Sequence, residues 1–374
     1  MKMTGLRIGL VGPLPPPFGG MANQMKQLAQ LLRDEGIVVE LIQVNSPYRP
    51  QWVGDMKGIR AIFRLFPYLI HLWQSANKVQ LFHIFANSGW SWHLFAAPAI
   101  WVARIKKKPV IINYRGGEAD TFFDKDFFWV RPSLYRTNAI IVPSGFLEAV
   151  FQKRGFSSSI VPNIIDLSRF SEETHTKDLS KKNSLNILVA RNLELIYDNA
   201  TALRAFSTVI KHFPFAQLTI TGSGPEQQTL KNLAAELGLQ NSVIFTGRVD
   251  NNDMAALYQK ADIMINPSLA DNMPISVLEA LASGVPVVST NVGGVPFLVK
   301  HDNTALLVPA QDPAAMANAI LLLLNNPEKA QQIRMAGLRA VKNYSWPEVR
   351  NRLFSVYENV LIRPDNFKTE SRKN

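Results

Sequence analysis

The feature that most restricts how this chain can fold is an alternation of short apolar runs and helix-length segments. It occurs twice, with one polar break between. In the first half Leu6–Gly12, Ile37–Val44, Gln80–Phe85, Pro109–Tyr114 and Ala139–Pro143 read as strands, and Met21–Asp34 reads as a helix. The runs are apolar throughout rather than at every second residue, as in parallel strands covered on both faces. The break is "SRFSEETHTKDLSKKNS", Ser168–Ser184, a polar and charged linker. Strands are then expected over Leu185–Ala190, Gln217–Thr221, Val243–Phe245, Ile263–Ile265 and Val285–Ser289. Helices are expected over Asn199–Phe213, Pro225–Leu237, Pro274–Ser283 and Asp312–Leu324. This predicts an α/β protein of two doubly wound, Rossmann-like domains, 1–167 and 185–345, joined by a linker at 168–184. Ligands of such folds sit beyond the carboxyl ends of the strands, so the cleft between the halves is the expected site.

Composition removes several classes. With 47% hydrophobic residues, the 374-residue chain can fill two cores, and 18% charged residues are too few for a disordered or coiled-coil protein. There is no Cys, which excludes disulfides, thiolate metal sites and a cysteine nucleophile. The apolar run of "MKMTGLRIGLVG" is too short for a signal peptide, so a cytoplasmic location is expected. Val79–Ala103 is uncharged and long enough to span a bilayer. Its Gln80, His83, Asn87, Ser88, Ser91 and His93, with Gly89 and Pro98, fit a strand, a turn and a helix better. Residues 1–165 carry 19 Lys and Arg against 9 Asp and Glu, and residues 166–374 carry 21 against 20. A basic first half suits nucleic acid, anionic lipid or a phosphorylated substrate, and no nucleic-acid module signature is present.

Five loops at predicted strand ends carry the chemistry. In "GPLPPPFGGMANQ", Pro15–Pro17 stiffen the chain while Gly19 and Gly20 open a helix, which makes an anion site or simply a rigid connection. "TGSGPEQQ" offers Gly222 and Gly224 but no third glycine, and no acid ends the next strand. A generic nucleotide or phosphate loop fits it better than a dinucleotide loop. "VARNLELIYDN" places Arg191 at a strand end, where its fork suits a diphosphate or a structural ion pair. In "NYRGGEADTFFDKDFFW", Arg115 precedes two glycines. Asp124 and Asp126 are spaced like acids that hold a metal and a nucleotide, although a solvated turn is the simpler reading.

The fifth loop is "NPSLADNMPISVLEALASGVPVVST", with Asp271 and Glu279 and no Lys or Arg between Ala261 and Val299. Asn272 reads as the helix N-cap and Pro274 as its first turn. On a helical wheel starting at Ile275, Ser276, Glu279 and Ser283 fall at about 100°, 40° and 80°, a narrow polar stripe on an apolar helix. The stripe either hides a salt bridge to a distant cation or faces a polar ligand. A carboxylate accepts two hydrogen bonds side by side, which fits a vicinal diol, and free helix amides face a phosphate. Diol and diphosphate together describe a nucleoside diphosphate.

"PPFGG", "IVPSGFLEAVFQKRG", "IVPNIIDLSRF", "GSGPE", "FTGRV", "ADIMINPS", "VLEALASGVPVVSTNVGG" and "YSW" follow one another in the order found in a known family. Over most of its length the chain resembles glycosyltransferase family 4, retaining enzymes of GT-B fold. The resemblance implies transfer of a sugar from a nucleotide-sugar to a glycan or lipid-linked acceptor in cell-surface polysaccharide synthesis. It implies retention, no metal and no cofactor, the nucleotide-sugar being a substrate. It makes Glu279 the ribose ligand and brings Asp271, a Glu in the family, near the donor sugar. Asn272, Met273, Pro274, Ile275 and Ser276 would meet the diphosphate and sugar, Arg191 would hold the diphosphate, and Gly222, Gly224 and Arg248 would belong to the donor side. It also brings the last helix, Trp346–Leu361 within 346–374, back to the first domain.

Three departures stand out. The family's Lys shortly after the Arg is missing, its His is replaced by Arg115, and its Glu after "VGG" is replaced by Phe297. Arg115 is placed to restore the lost charge and to act in catalysis. The donor sugar otherwise differs, or the chain is an inactive relative. No protein nucleophile is evident, so leaving-group stabilisation is the expected mechanism. Arg49–Gln74 mixes cations with Trp52, Phe63, Phe66, Tyr68 and Trp73. It reads as an amphipathic helix for an anionic membrane surface, at which the protein would be peripheral, or as a core-packed helix with exposed cations. A sugar-nucleotide epimerase and a non-catalytic nucleotide-sugar or glycan binder are the rival functions, and the broken glycine pattern disfavours a dehydrogenase.

Overall fold

The computed structural model describes residues 3–16, 19–48, 52, 56, 60–170 and 185–362. They form two compact units. One takes the chain up to Ile164 and resumes at Trp346, and the other runs from Ile165 to Ser345. Most of the predicted linker, residues 171–184, lies outside the described residues.

The first unit alternates β1 (Arg7–Gly12), α1 (Gly20–Asp34), β2 (Val38–Gln43), α2 (Arg60–Ser75), β3 (Leu81–Ala86), α3 (Ala97–Ile105), β4 (Val110–Tyr114), α4 (Ala119–Leu134), β5 (Ala139–Val142), α5 (Gly145–Gln152) and the short β6 (Ser159–Ile160). All pairings are parallel, in the order β2-β1-β3-β4-β5-β6. Every residue of β3 and β4 is buried, which is why these runs show no alternation. One core packs α2 to α5 on one face of the sheet, and a second packs α1 and the last helix on the other.

The second unit continues with β7 (Leu185–Ala190), α6 (Asn199–His212), β8 (Ala216–Thr221), α7 (Gln227–Glu236), β9 (Val243–Gly247), α8 (Asn251–Lys260), β10 (Ile263–Asn266), α9 (Ile275–Ala282), β11 (Val287–Thr290), α10 (Val295–Leu298), β12 (Leu306–Val308), α11 (Pro313–Asn325) and α12 (Pro327–Val341). Its parallel sheet has the order β12-β11-β10-β7-β8-β9. The topology reverses between β7 and β10, and ligands of open α/β sheets favour the crevice at such a point. The last helix, α13 (Trp346–Ile362), belongs to the first unit. Its Val349, Leu353, Val356, Tyr357 and Val360 join the core of Leu10, Met25 and Leu32, each worth about 1.5–3 kcal/mol for an aliphatic side chain. Glu35 accepts from Trp346 Nε1 at 3.0 Å and pairs with Arg350 at 2.9 Å, which holds its carboxyl below the usual range.

Four local expectations change. Asp124 and Asp126 lie within α4 rather than on a turn, and Asp124 pairs with Arg154 at 2.7 Å. Tyr68 is not a surface aromatic: it is buried and donates to the Phe95 carbonyl at 2.8 Å. Pro274, in extended conformation, is the N-cap of α9, so the cap is two residues later than Asn272. Val79–Ala103 divides into β3, a π-helical turn at Trp92–Ala96 and the start of α3. Among the described residues no helix is long and apolar enough to cross a membrane.

Candidate active site

The second unit gathers most of the predicted residues at its switch point. Arg191 follows β7, and Ser268 and Asp271 follow β10. Arg191 Nε and Nη2 donate to Ser268 Oγ at 3.1 and 3.0 Å, and Nη2 also pairs with the Asp271 carboxylate. Ser268 Oγ in turn donates to Asn266 Oδ1, whose amide donates to Ser289 Oγ, both at 2.9 Å. The guanidinium lies over the Tyr197 ring, 4.5 Å from its centroid. Burial lowers the Arg191 pKa, and Tyr197, Tyr258 and Glu279 act in the opposite direction.

Glycines bring the loops this close. A Cβ on Gly222, at φ +125°, would strike the Arg191 carbonyl, and one on Gly224 would strike that of Leu193. A Cβ on Gly293, at φ +51°, would strike the Asp271 carbonyl, which accepts from Gly294 N at 2.8 Å. At these points the glycines admit the chain's own backbone.

The polar stripe of α9 is present. Val277, Leu278, Ala280, Leu281 and Ala282 are core residues, while Ser276 Oγ and Ser283 Oγ are buried without a hydrogen-bond partner among the described residues. Glu279 Oε2 accepts from the Tyr258 hydroxyl at 3.0 Å, and the same hydroxyl lies 3.1 Å from the Ser276 carbonyl. Burial pushes Glu279 up to about 7, with Tyr258, Arg169 and Arg191 pulling the other way. The Tyr258 hydroxyl is pushed up too, by burial first and then by Glu279. Asn272, Met273 and Pro274 are buried, with Met273 in the core, and Ile275 is half-buried. Arg248 is exposed beyond the end of β9, the edge strand two places from β7.

Tyr258, Ser268 and Arg169 are the residues that sequence reasoning missed. Each lies on a different segment, and only the aromatic and hydroxyl character of "ALYQKADIMINPS" pointed toward two of them.

Arg115 has a separate setting in the first unit. Its Nε donates to Asn113 Oδ1 at 3.0 Å, and its Nη1 donates to Asn163 Oδ1. Asn113 Nδ2 donates to His83 Nε2 at 3.0 Å, so the ring proton sits on Nδ1 and faces the Tyr357 hydroxyl at 2.7 Å. Burial takes His83 down to about 3 and Arg115 down to about 9, leaving the imidazole neutral and the guanidinium charged near pH 7. Gly19 is the N-cap of α1, and a Cβ there would meet nothing within 4 Å.

The comparisons agree with this architecture. Residues 18–169 match the family model "Glycosyltransferase Family 4", and residues 170–339 match "Glycosyl transferases group 1". An uncharacterised glycosyltransferase of Methanocaldococcus jannaschii is 31% identical over 94% of this chain and 98% of its own. The chain belongs to glycosyltransferase family 4. Another family relative, the phosphatidyl-myo-inositol mannosyltransferase of Mycobacterium leprae, is 26% identical over 95% of this chain and 97% of its own. Among solved structures, the sucrose-phosphate synthase of Thermosynechococcus elongatus superposes with a TM-score of 0.77 at 19% identity, covering 96% of this chain and 99% of that one. Anabaena HepE in complex with UDP superposes with a TM-score of 0.74 at 18% identity, covering 94% and 100%. The fold of this family 4 member is therefore GT-B.

Proposed function

We propose that this family 4 glycosyltransferase moves a sugar from a nucleoside diphosphate sugar to a glycan or lipid-linked acceptor, with retention and without a metal, in building a cell-surface polysaccharide. The observation that carries the reading is Glu279. It is a carboxylate on the only polar stripe of a core helix, one turn from the helix start, with two buried serine hydroxyls beside it that lack partners among the described residues. A ribose diol satisfies such a carboxylate, and the diphosphate then lies toward the α9 amides and Arg191.

In this reading the bond from the anomeric carbon to the diphosphate oxygen breaks and a bond to the acceptor oxygen forms on the same face. The acceptor proton passes to the leaving phosphate. Arg191, fixed by Ser268 and Asp271, stabilises the charge that develops there. Two relatives' names support a phosphorylated polyol or lipid acceptor: the M. leprae mannosyltransferase, and the D-inositol 3-phosphate glycosyltransferase of Corynebacterium urealyticum, 28% identical over 55% of this chain and 52% of its own. The HepE complexes with UDP and UDP-glucose support a uridine donor.

A surface of the first unit supports action at the cytoplasmic face of an anionic membrane. On α2 the exposed Ile62, Phe63, Phe66, Ile70 and Trp73 fall within about 100° of one another at 100° per residue. Leu65, Leu69, Tyr68 and Leu72 face the core from the other side. Exposed Trp101 and Ile105 on the adjoining α3, and Phe128 and Trp129 on α4, extend the apolar face. Lys106 lies 3.9 Å from the Trp73 ring centroid and Arg136 3.9 Å from that of Trp101, a mixture that suits an anionic lipid surface.

A second reading, a non-catalytic nucleotide-sugar binder, draws on the ion pair that already occupies Arg191. Binding of UDP, GDP, ADP and their sugars, followed by transfer and hydrolysis assays with the best donor, decides between the two. Binding with turnover supports the transferase. Tight binding with neither transfer nor hydrolysis supports the binder, and no binding to any member of the panel refutes both.

A further inference from the structure

Two guanidinium groups act on the Glu279 carboxylate, Arg169 more strongly than Arg191. They differ in what they have left to donate. The Nε and Nη2 hydrogens form the edge of an arginine that grips two oxygens side by side. In Arg191 that edge is closed, since both nitrogens donate to Ser268 Oγ and Nη2 also holds Asp271. In Arg169 the same two nitrogens are buried and meet no acceptor among the described residues.

Arg169 is tied to the site by a chain of contacts within the second unit. Its guanidinium carbon lies 4.9 Å from the Phe170 ring centroid. That ring meets Tyr258 edge-on at 5.9 Å, and the Tyr258 hydroxyl is 3.0 Å from Glu279 Oε2. A charged donor pair closed off from both water and acceptors is unfavourable until an anion reaches it, and the low local polarity then strengthens the contact. Ser276 Oγ, on the helix that carries Glu279, and Ser283 Oγ, at its C-cap, likewise lack partners among the described residues.

We infer that Arg169 is a second phosphate-binding cation of the donor site, its open Nε–Nη2 edge taking two oxygens of the donor diphosphate. The inference rests on the nucleotide-sugar reading. It divides the work between two arginines: Arg191 is a charge pinned in place, and Arg169 is the fork that closes on the ligand. It also supplies a cation to a site in which the family's Lys after the first arginine is missing.

The test is calorimetric titration of the full chain with whichever of UDP, GDP or ADP the wild type binds most tightly, and with the matching nucleoside. Arg169→Ala weakens the nucleoside diphosphate roughly tenfold or more, the scale of a lost charge-assisted hydrogen bond, and changes the nucleoside less than twofold. Arg169→Lys recovers part of the loss and Arg169→Gln does not. Circular dichroism of each variant confirms folding, and Arg169→Lys carries the comparison if Arg169→Ala does not fold. Unchanged nucleoside diphosphate affinity overturns the inference, as does an equal loss for the nucleoside, which would place Arg169 at the base or ribose. If the wild type binds none of the three diphosphates, the nucleotide-sugar reading itself fails and takes this inference with it.

Discussion

Arg115 and Arg191 stand just past the carboxyl ends of inner strands, β4 and β7, and burial lowers both. Their surroundings differ in one respect. Along Arg115, Asn113, His83 and Tyr357 each side chain is hydrogen-bonded to the next, and the chain runs in one direction from strand to helix. Around Arg191 and Glu279 the accounting is incomplete, with two serine hydroxyls and one arginine edge lacking partners among the described residues. A buried polar network that satisfies itself holds a fold in one arrangement, whereas one left short of partners has donors and acceptors to offer a ligand. On the proposed reading, the network around Arg191 is the one that takes the ligand, and the one around Arg115 is the more fully paired of the two.

The comparison breaks most readily at Arg191. Replacing it by Ala lowers turnover at saturating donor by about 10²–10³-fold, and near-wild-type turnover would remove its role at the leaving group. Next is Glu279→Ala, which weakens nucleoside diphosphate binding by roughly tenfold to a hundredfold in a titration while sparing inorganic diphosphate. Equal losses for both ligands would move the carboxylate away from the ribose.

The pH dependence is of similar size. Glu279 rises from 4.5 to about 7 in the folded chain, chiefly through burial, with Tyr258, Arg169 and Arg191 opposing. A raised carboxyl binds its proton more tightly folded than unfolded. Its contribution to stability is therefore complete below about pH 4.5 and is lost as pH rises through about 7. Ribose hydroxyls select the charged form, so nucleotide affinity climbs roughly tenfold between about pH 6 and pH 8. The rise vanishes in Glu279→Gln or with a 2′,3′-dideoxy nucleotide, and a rise that persists in either assigns the titration elsewhere. The smallest effect belongs to the other side of the comparison. Tyr357→Phe takes away the hydroxyl that His83 meets and lowers unfolding free energy by about 1 kcal/mol, with nucleotide affinity unchanged. A change in affinity would show that the two networks are not independent in function.

The strands and most helices were legible because their signals are local. A parallel strand buried on both faces shows itself as an unbroken apolar run, as in "LVA" before Arg191. Terminal short strands such as β6 and β12 offer two or three residues and escaped notice. The α9 stripe was equally legible, since three polar residues at helical spacing on an apolar helix need no partner to be seen. The pairing of Arg191 with Asp271 and the approach of Tyr258 and Arg169 to Glu279 were not. They depend on which strand follows which across the switch point, and no periodicity within one segment carries that information. The question raised by a carboxylate in a stretch without cations is answered from elsewhere in the chain: its cations are Arg169, at the start of the predicted linker, and Arg191, just after β7.

The chain departs from its first unit at Ile164 and returns to it only at Trp346. During synthesis the second unit therefore emerges whole, as one uninterrupted stretch able to fold as it leaves the ribosome. The first must wait, with Leu10, Met25 and Leu32 lacking the helix that covers them, until α13 has been made. The half of the protein that is translated first is the half that is finished last, and any ribosome that stops before residue 346 releases a chain with an open apolar face.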